Sequence, residues 1–166
     1  TSPKKIEQLY DLLKIFSDEC EKQQLSYFAS SGTLLGAVRS GGIIPWDDDI
    51  DLGIFVEDRD KMIELCSSLE KYGIELDTSH EELQGLYKLR FNQDVLQNKY
   101  QVENPDDVGD IDIELYKKLK NGTYHYCSSF ARNQFPGGYF LEDELQNLID
   151  YPFGPNESLQ VKGPAT

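Results

Sequence analysis

The chain has 166 residues, of which 39% are hydrophobic and 28% charged, with three cysteines and a formal net charge of −14. That length suits one compact domain, and the composition is that of a globular protein and not of a disordered tail. The acidity argues against a nucleic-acid partner, which demands a positive face, so an acidic chain that handles phosphates is expected to bring divalent cations to its site.

No apolar run is long enough to span a bilayer, and no charged and then apolar leader opens the chain. The sequence starts at Thr1 without a methionine and stops in the loop-like Lys162-Gly163-Pro164-Ala165-Thr166, which is expected of a piece of a longer protein. From the N-terminus, Ile6, Leu9, Tyr10, Leu13, Phe16 and Cys20 recur at helical spacing, with Ser2-Pro3 as cap and first-turn proline. Leu25 to Ser30 reads as a short strand, broken by Ser31-Gly32 before a helical run from Thr33 to Arg39. Ser40-Gly41-Gly42 turns the chain toward Ile43-Ile44-Pro45-Trp46, and Asp49 to Phe55 alternates acidic and apolar residues as a half-buried strand does. Glu57 to Lys71 gives a second amphipathic helix, ended by Gly73. Leu86 to Phe91 and Gly109 to Tyr116 are further strands, whereas Leu141 to Ile149 fits a short helix or an extended segment equally.

Cys20, Cys66 and Cys127 lie far apart without a Cys-x-x-Cys pair, so neither a zinc cluster nor a redox motif is expected, and Cys20 and Cys66 fall in apolar helical stripes as buried thiols do. His80 and His125 have no metal-ligand spacing.

The chemistry concentrates in Trp46-Asp47-Asp48-Asp49-Ile50-Asp51. On a strand, residues two apart share a face, so Asp49 and Asp51 project together while Ile50 and Leu52 enter the core. Asp110 and Asp112 repeat the arrangement, and if the two strands are neighbours, three or four carboxylates converge. Two unit charges about 5 Å apart repel by roughly 3 kcal/mol at an effective dielectric of 20, so such a cluster holds protons or binds a cation. Hard carboxylate oxygens select Mg²⁺ or Mn²⁺. A solvated acidic turn would have no need of the apolar Ile50, Leu52 and Ile54. An EF-hand loop fails at Leu52, where glycine is required, and at Asp58, where glutamate is.

Ser31-Gly32-Thr33-Leu34-Leu35-Gly36-Ala37-Val38-Arg39, followed by Gly41-Gly42-Ile43-Ile44-Pro45-Trp46-Asp47-Asp48-Asp49-Ile50-Asp51, resembles the signature of the LicD family. That family includes bacterial phosphocholine transferases and is related to the fukutin-type proteins of eukaryotic glycosylation. Asp112-Ile113 resembles the family's later Asp-Ile element, and Tyr151-Pro152-Phe153-Gly154 a short element near the end of its core. The resemblance implies an α/β (α+β) nucleotidyltransferase-type fold, a small mixed sheet flanked by helices, with residues 1–166 forming a single LicD-like domain cut short at its C-terminus. It further implies transfer of a substituted phosphoryl group, such as phosphocholine or a sugar or alditol phosphate, from a CDP-linked donor to a glycan hydroxyl, in the cytoplasm of a bacterium or the Golgi lumen of a eukaryote.

In that reading Asp49, Asp51 and Asp112 are the catalytic carboxylates and the ligands of Mg²⁺ or Mn²⁺, with Asp112 preferred over Asp110 as the third. Asp112 either completes the metal site or takes the acceptor's proton as general base. Gly32 lets the backbone approach a donor phosphate at a helix N-terminus, or is an ordinary turn glycine. Ser31 and Thr33 offer hydroxyls to the phosphate or cap the helix, Arg39 pairs with phosphate or forms a surface ion pair, and Trp46 stacks on a base or sugar or sits in the core. The nearest enzyme alternative is a GT-A glycosyltransferase using a nucleotide sugar, which needs a longer nucleotide-binding region than the 48 residues before the motif. An inactive binding module on the same fold would have lost a metal carboxylate, and none is missing.

Overall fold

The computed structural model describes residues 2–44, 48–155 and 159–165. Helix α1, Pro3–Gln23, forms where the apolar spacing places it: Ser2 caps it by accepting the Lys5 N–H at 3.2 Å, Pro3 opens its first turn, and Leu9, Leu12, Leu13, Phe16 and Cys20 are buried along one stripe. It is followed by β1 (Phe28–Ala29), α2 (Ser31–Ser40) and β2 (Ile50–Phe55). The helix expected over Glu57 to Lys71 is three pieces: α3, Arg59–Ser67, flanked by short 3-10 turns at Val56–Asp58 and Ser68–Tyr72, with Gly73 capping the end at φ 72°.

Next come β3 (Ile74–Asp77), α4 (Glu81–Gln84), β4 (Leu86–Phe91), α5 (Gln93–Asn98), β5 (Ile111–Lys118), β6 (Tyr124–Tyr126) and α6 (Ser129–Gln134). Leu141 to Ile149 combines both forms the sequence allowed, with α7 (Glu142–Gln146) running into β7 (Leu148–Pro152), which pairs with β8 (Gln160–Pro164). The strand expected over Leu25 to Ser30 contracts to Phe28–Ala29, and that expected from Gly109 starts two residues later.

The main sheet has the order β1-β2-β5-β4-β3, with β6 also on β5. Strands β2 and β5 are parallel and the other pairs antiparallel, so the fold is a small mixed sheet flanked by helices, as expected. β5 is long enough to pair with β4 over its first half and with β6 beyond the point where β4 has left.

Alternation gives the sheet two different faces. Ile50, Leu52, Ile54, Ile111, Ile113 and Leu115 are buried in the main core, which α1 and α3 cover. The other face is ordered in cross-strand rows: Asp51, Asp112 and Lys88, then Gly53, Glu114 and Leu86, then Phe55, Tyr116 and Tyr126. It therefore grades from acidic to aromatic along the strands. Phe28 crosses Gly53 and packs on Tyr116 with ring centroids 5.0 Å apart. A Cβ at Gly53 would stand 2.3 Å from a Phe28 ring carbon and 2.8 Å from one of Tyr116, both rings fully buried. Gly53→Ala is accordingly expected to destabilise the protein by roughly 1–3 kcal/mol through overpacking, read as a lowered urea midpoint at unchanged slope.

Candidate active site

Asp49, Asp51 and Asp112 each offer a carboxylate oxygen, and the three atoms lie within 4.8 Å of one another. Register explains the meeting. Parallel pairing sets Asp51 beside Asp112, while Asp49 sits at the bend just before β2 and joins from outside the strand. The peptide of Asp51 is held on both sides: its N–H donates to Thr33 Oγ1 at 2.8 Å and its carbonyl accepts from the Ser30 N–H at 3.1 Å. Asp112 is 9% exposed and receives a hydrogen bond from Lys88 Nζ on its Oδ1 at 3.0 Å. One row outward, Asp110 is held by Arg90 through Nε at 2.9 Å and takes no part in the cluster.

Glu114 follows Asp112 on the same face and brings a fourth carboxyl against Asp51. Burial pushes both Asp51 and Glu114 above the usual carboxylate range, and the neighbouring carboxylates push in the same direction. Asp49 and Asp112 are also raised, first by burial, with the Lys88 ammonium pulling the other way. Buried, mutually repelling oxygen donors at this spacing fit a hard divalent cation, which would take the place of the protons the cluster otherwise keeps.

These carboxylates floor a cleft of about 390 Å³. At one side the first turn of α2 opens onto it through Ser31 and Gly32. Ser31 has φ 49°, a left-handed conformation that costs a non-glycine residue about 1–2 kcal/mol, held here beside the acidic floor. At the other side Tyr126, Phe130 and Phe135 form an aromatic wall, with Phe130 and Phe135 still 37% and 59% exposed. The wall is anchored. Ser128 caps α6 and bonds the Leu83 carbonyl at 2.6 Å, Arg132 donates to the Tyr126 carbonyl at 2.7 Å, and buried His125 meets the Phe135 carbonyl through Nε2 at 3.0 Å.

Ser31, Gly32, Asp49, Asp51 and Asp112 are thus brought together. Two other expected positions are elsewhere. Thr33 is 2% exposed and sits behind the site, its hydroxyl engaged with the Asp51 peptide and not turned to the cleft. Arg39 is exposed in the last turn of α2, since eight residues of helix carry it about 12 Å along the axis from Ser31. Trp46 lies outside the described residues. Lys88, Glu114 and the α6 aromatics were not singled out from sequence. The Asp-Ile-Asp-Ile-Glu-Leu alternation carried the signal for Glu114, whereas Lys88 reaches the site only through strand pairing and α6 only through its tertiary anchors at Leu83 and Tyr126. Cys20 and Cys66 are buried free thiols, both raised by burial, in keeping with a packing role. Among the described residues no helix is long and apolar enough to cross a membrane.

A mixed sheet that gathers three aspartates beside a helix N-terminus defines a nucleotidyltransferase-type domain with a metal-competent acidic centre. The family model for the LicD/FKTN/FKRP nucleotidyltransferase domain matches residues 24–165, and the chain belongs to that family. It is 33% identical over 164 residues to the uncharacterized protein RP689 of Rickettsia prowazekii, covering 99% of this chain and 52% of that protein. The lipopolysaccharide cholinephosphotransferase LicD of Haemophilus influenzae is 38% identical over 55 residues, 33% of this chain and 21% of that protein. The human ribitol 5-phosphate transferase FKRP is 55% identical over 38 residues, 23% of this chain and 8% of that protein. The chain spans about half the length of the relatives it matches from end to end. Among solved structures, ANT(2″)-Ia in complex with adenylyl-2″-tobramycin aligns with a TM-score of 0.41 and 17% identity over 71% of this chain and 55% of that one, a likeness too low to carry an argument.

Proposed function

We propose that this chain carries the metal- and donor-binding part of a transferase that moves a substituted phosphoryl group from a CDP-linked donor to a glycan hydroxyl. The observation that carries the reading is the convergence of Asp49, Asp51 and Asp112 in a chain of this family. The family relatives named above act, by their names, on phosphocholine and on ribitol 5-phosphate, two groups joined through phosphate.

Asp49, Asp51 and Asp112 are the ligands proposed for Mg²⁺ or Mn²⁺, the ions that all-oxygen donor sets of this size favour. Bound there, the ion neutralises charge on the pyrophosphate and on the departing nucleotide. The first turn of α2 at Ser31 and Gly32 presents backbone amides to an anion. Phe130 and Phe135 offer apolar faces to the organic parts of the substrates. In the transfer, the acceptor oxygen bonds to phosphorus, the phosphorus–oxygen bond to the nucleotide breaks, and CMP leaves. The acceptor proton passes to a carboxylate of the cleft, a role open to Asp112 in place of, and not in addition to, completing the metal site.

A screen of CDP-choline, CDP-ribitol and related donors tests this. CMP release that requires Mg²⁺ and stops with EDTA is expected. A preference for uridine diphosphate sugars would instead place the chain among glycosyltransferases, and no nucleotide release with any donor and acceptor would argue for a binding module.

A further inference from the structure

Lys88 stands apart from the four carboxylates around it. It lies on β4, whose antiparallel register with β5 sets it directly beside Asp112, so that Asp51, Asp112 and Lys88 form one continuous row across three strands. Its Nζ donates to Asp112 Oδ1 at 3.0 Å, and among the described residues no other ion pair reaches the triad. The lysine side chain is 25% exposed and the aspartate's 12%, so solvent screens the pair only in part. Lys88 also acts on Asp49 and Asp110 through space. It does not line the cleft. A cation fixed beside a metal-competent cluster does two opposed things. It orients the third carboxylate by pinning one oxygen, and it repels any divalent ion that the carboxylates attract.

We propose that Lys88 is a positioning residue for the acidic centre: it pins Asp112 in register and supplies standing counter-charge, so that the divalent ion is held weakly until a donor pyrophosphate brings further negative charge. The metal and the donor thereby enter as one unit, with affinities that depend on each other. The inference rests on the metal reading of the cluster and does not depend on cytidine as the base.

The test is calorimetric titration of Mn²⁺ into the folded chain, alone and with saturating CDP or inorganic pyrophosphate, for the wild type, Lys88→Met, Lys88→Arg and Arg90→Met. In the wild type, either phosphate ligand is expected to tighten Mn²⁺ binding at least about tenfold, a coupling within the usual allosteric range. Lys88→Met is expected to bind Mn²⁺ alone about tenfold more tightly, roughly what loss of a unit charge about 5 Å from a divalent ion gives in a water-like dielectric. The same variant should lose most of the coupling and slow turnover. Lys88→Arg should restore wild-type behaviour, and Arg90→Met, which removes the partner of Asp110 and Asp77 and of none of the three cluster aspartates, should leave Mn²⁺ affinity unchanged. A lysine that merely held the sheet together would give weaker Mn²⁺ binding in Lys88→Met, and that result overturns the proposal. Wild-type affinity for Mn²⁺ that ignores both ligands also overturns it, whether or not Lys88→Met folds. Coupling with pyrophosphate but none with CDP would leave the role of Lys88 standing and remove the cytidine donor.

Discussion

Asp49→Asn and Asp51→Asn are each expected to lower turnover by about 10³-fold or more, corresponding to roughly 4 kcal/mol of lost transition-state stabilisation, while the protein stays folded. The two halves of the expectation come from the same geometry. Both carboxylates lie in a cluster whose ligand atoms fall within 4.8 Å, so each amide substitution removes a charged ligand. Each also removes like-charge repulsion from groups that burial already drives toward protonation. Melting without metal should therefore be unchanged or higher in the variants. The rise in melting temperature that saturating Mn²⁺ gives the wild type by linkage should be lost. Calorimetry showing wild-type Mn²⁺ affinity in both variants would remove these residues from the metal site. Unfolded variants would show instead that the carboxylates hold the strand in place.

That pair was readable from sequence because the information is local. Strand alternation puts Asp51 on one side and Ile50 and Leu52 on the other, both apolar residues being fully buried, and Asp49 joins Asp51 from the bend just before the strand. Helix α1 was readable for the same reason, since its stripe, cap and first-turn proline all agree. The choice of Asp112 over Asp110 needed a non-local fact, the register of β2 on β5, and the strands' own patterns permit a slip of two residues. The register pairs Asp51 with Asp112 and leaves Asp110 to Arg90.

What sequence did not yield is short or borrowed. β6 has three residues and α6 six, too few for a period to emerge, yet together they build the aromatic wall of the cleft. Thr33 looked like a phosphate ligand because the helix-start motif places a hydroxyl there. Only the packing of α2 on β2 turns that hydroxyl inward to the Asp51 peptide, where it fixes the strand that carries the metal ligands. Arg39 belongs to the same motif and lies too far along the helix to reach the floor of the cleft. Residues of one sequence signature thus divide between the cleft itself and the scaffold that positions it.

The acidic centre also predicts how stability should follow pH. The carboxyls of Asp51 and Glu114 are raised in the folded protein above their unfolded values near 4, first by burial and then by neighbouring carboxylates, chiefly Glu114 acting on Asp51 and Asp112 acting on Glu114. Between those unfolded values and the raised folded ones, the folded state binds more protons than the unfolded state, so stability falls as pH rises through that window. Below about pH 4 both states are protonated at these groups and they contribute no slope. Asp77 and Glu81 oppose this only on the acid side. Their carboxyls are lowered, by hydrogen bonds from Ser79 and Arg59 respectively, so their contribution is present above pH 4 and lost below it. In EDTA, urea unfolding is therefore expected to show a loss on the order of 3 kcal/mol between pH 5 and pH 9, a figure already reduced for the partial exposure of the site. Saturating Mg²⁺ should flatten or reverse the slope, because ionised ligands bind the cation and metal affinity grows as their protons leave. Asp51→Asn should flatten it in EDTA as well. Equal slopes with EDTA and with Mg²⁺ would mean that no cation replaces the protons of the cluster, and the metal reading of Asp49, Asp51 and Asp112 would fall with it.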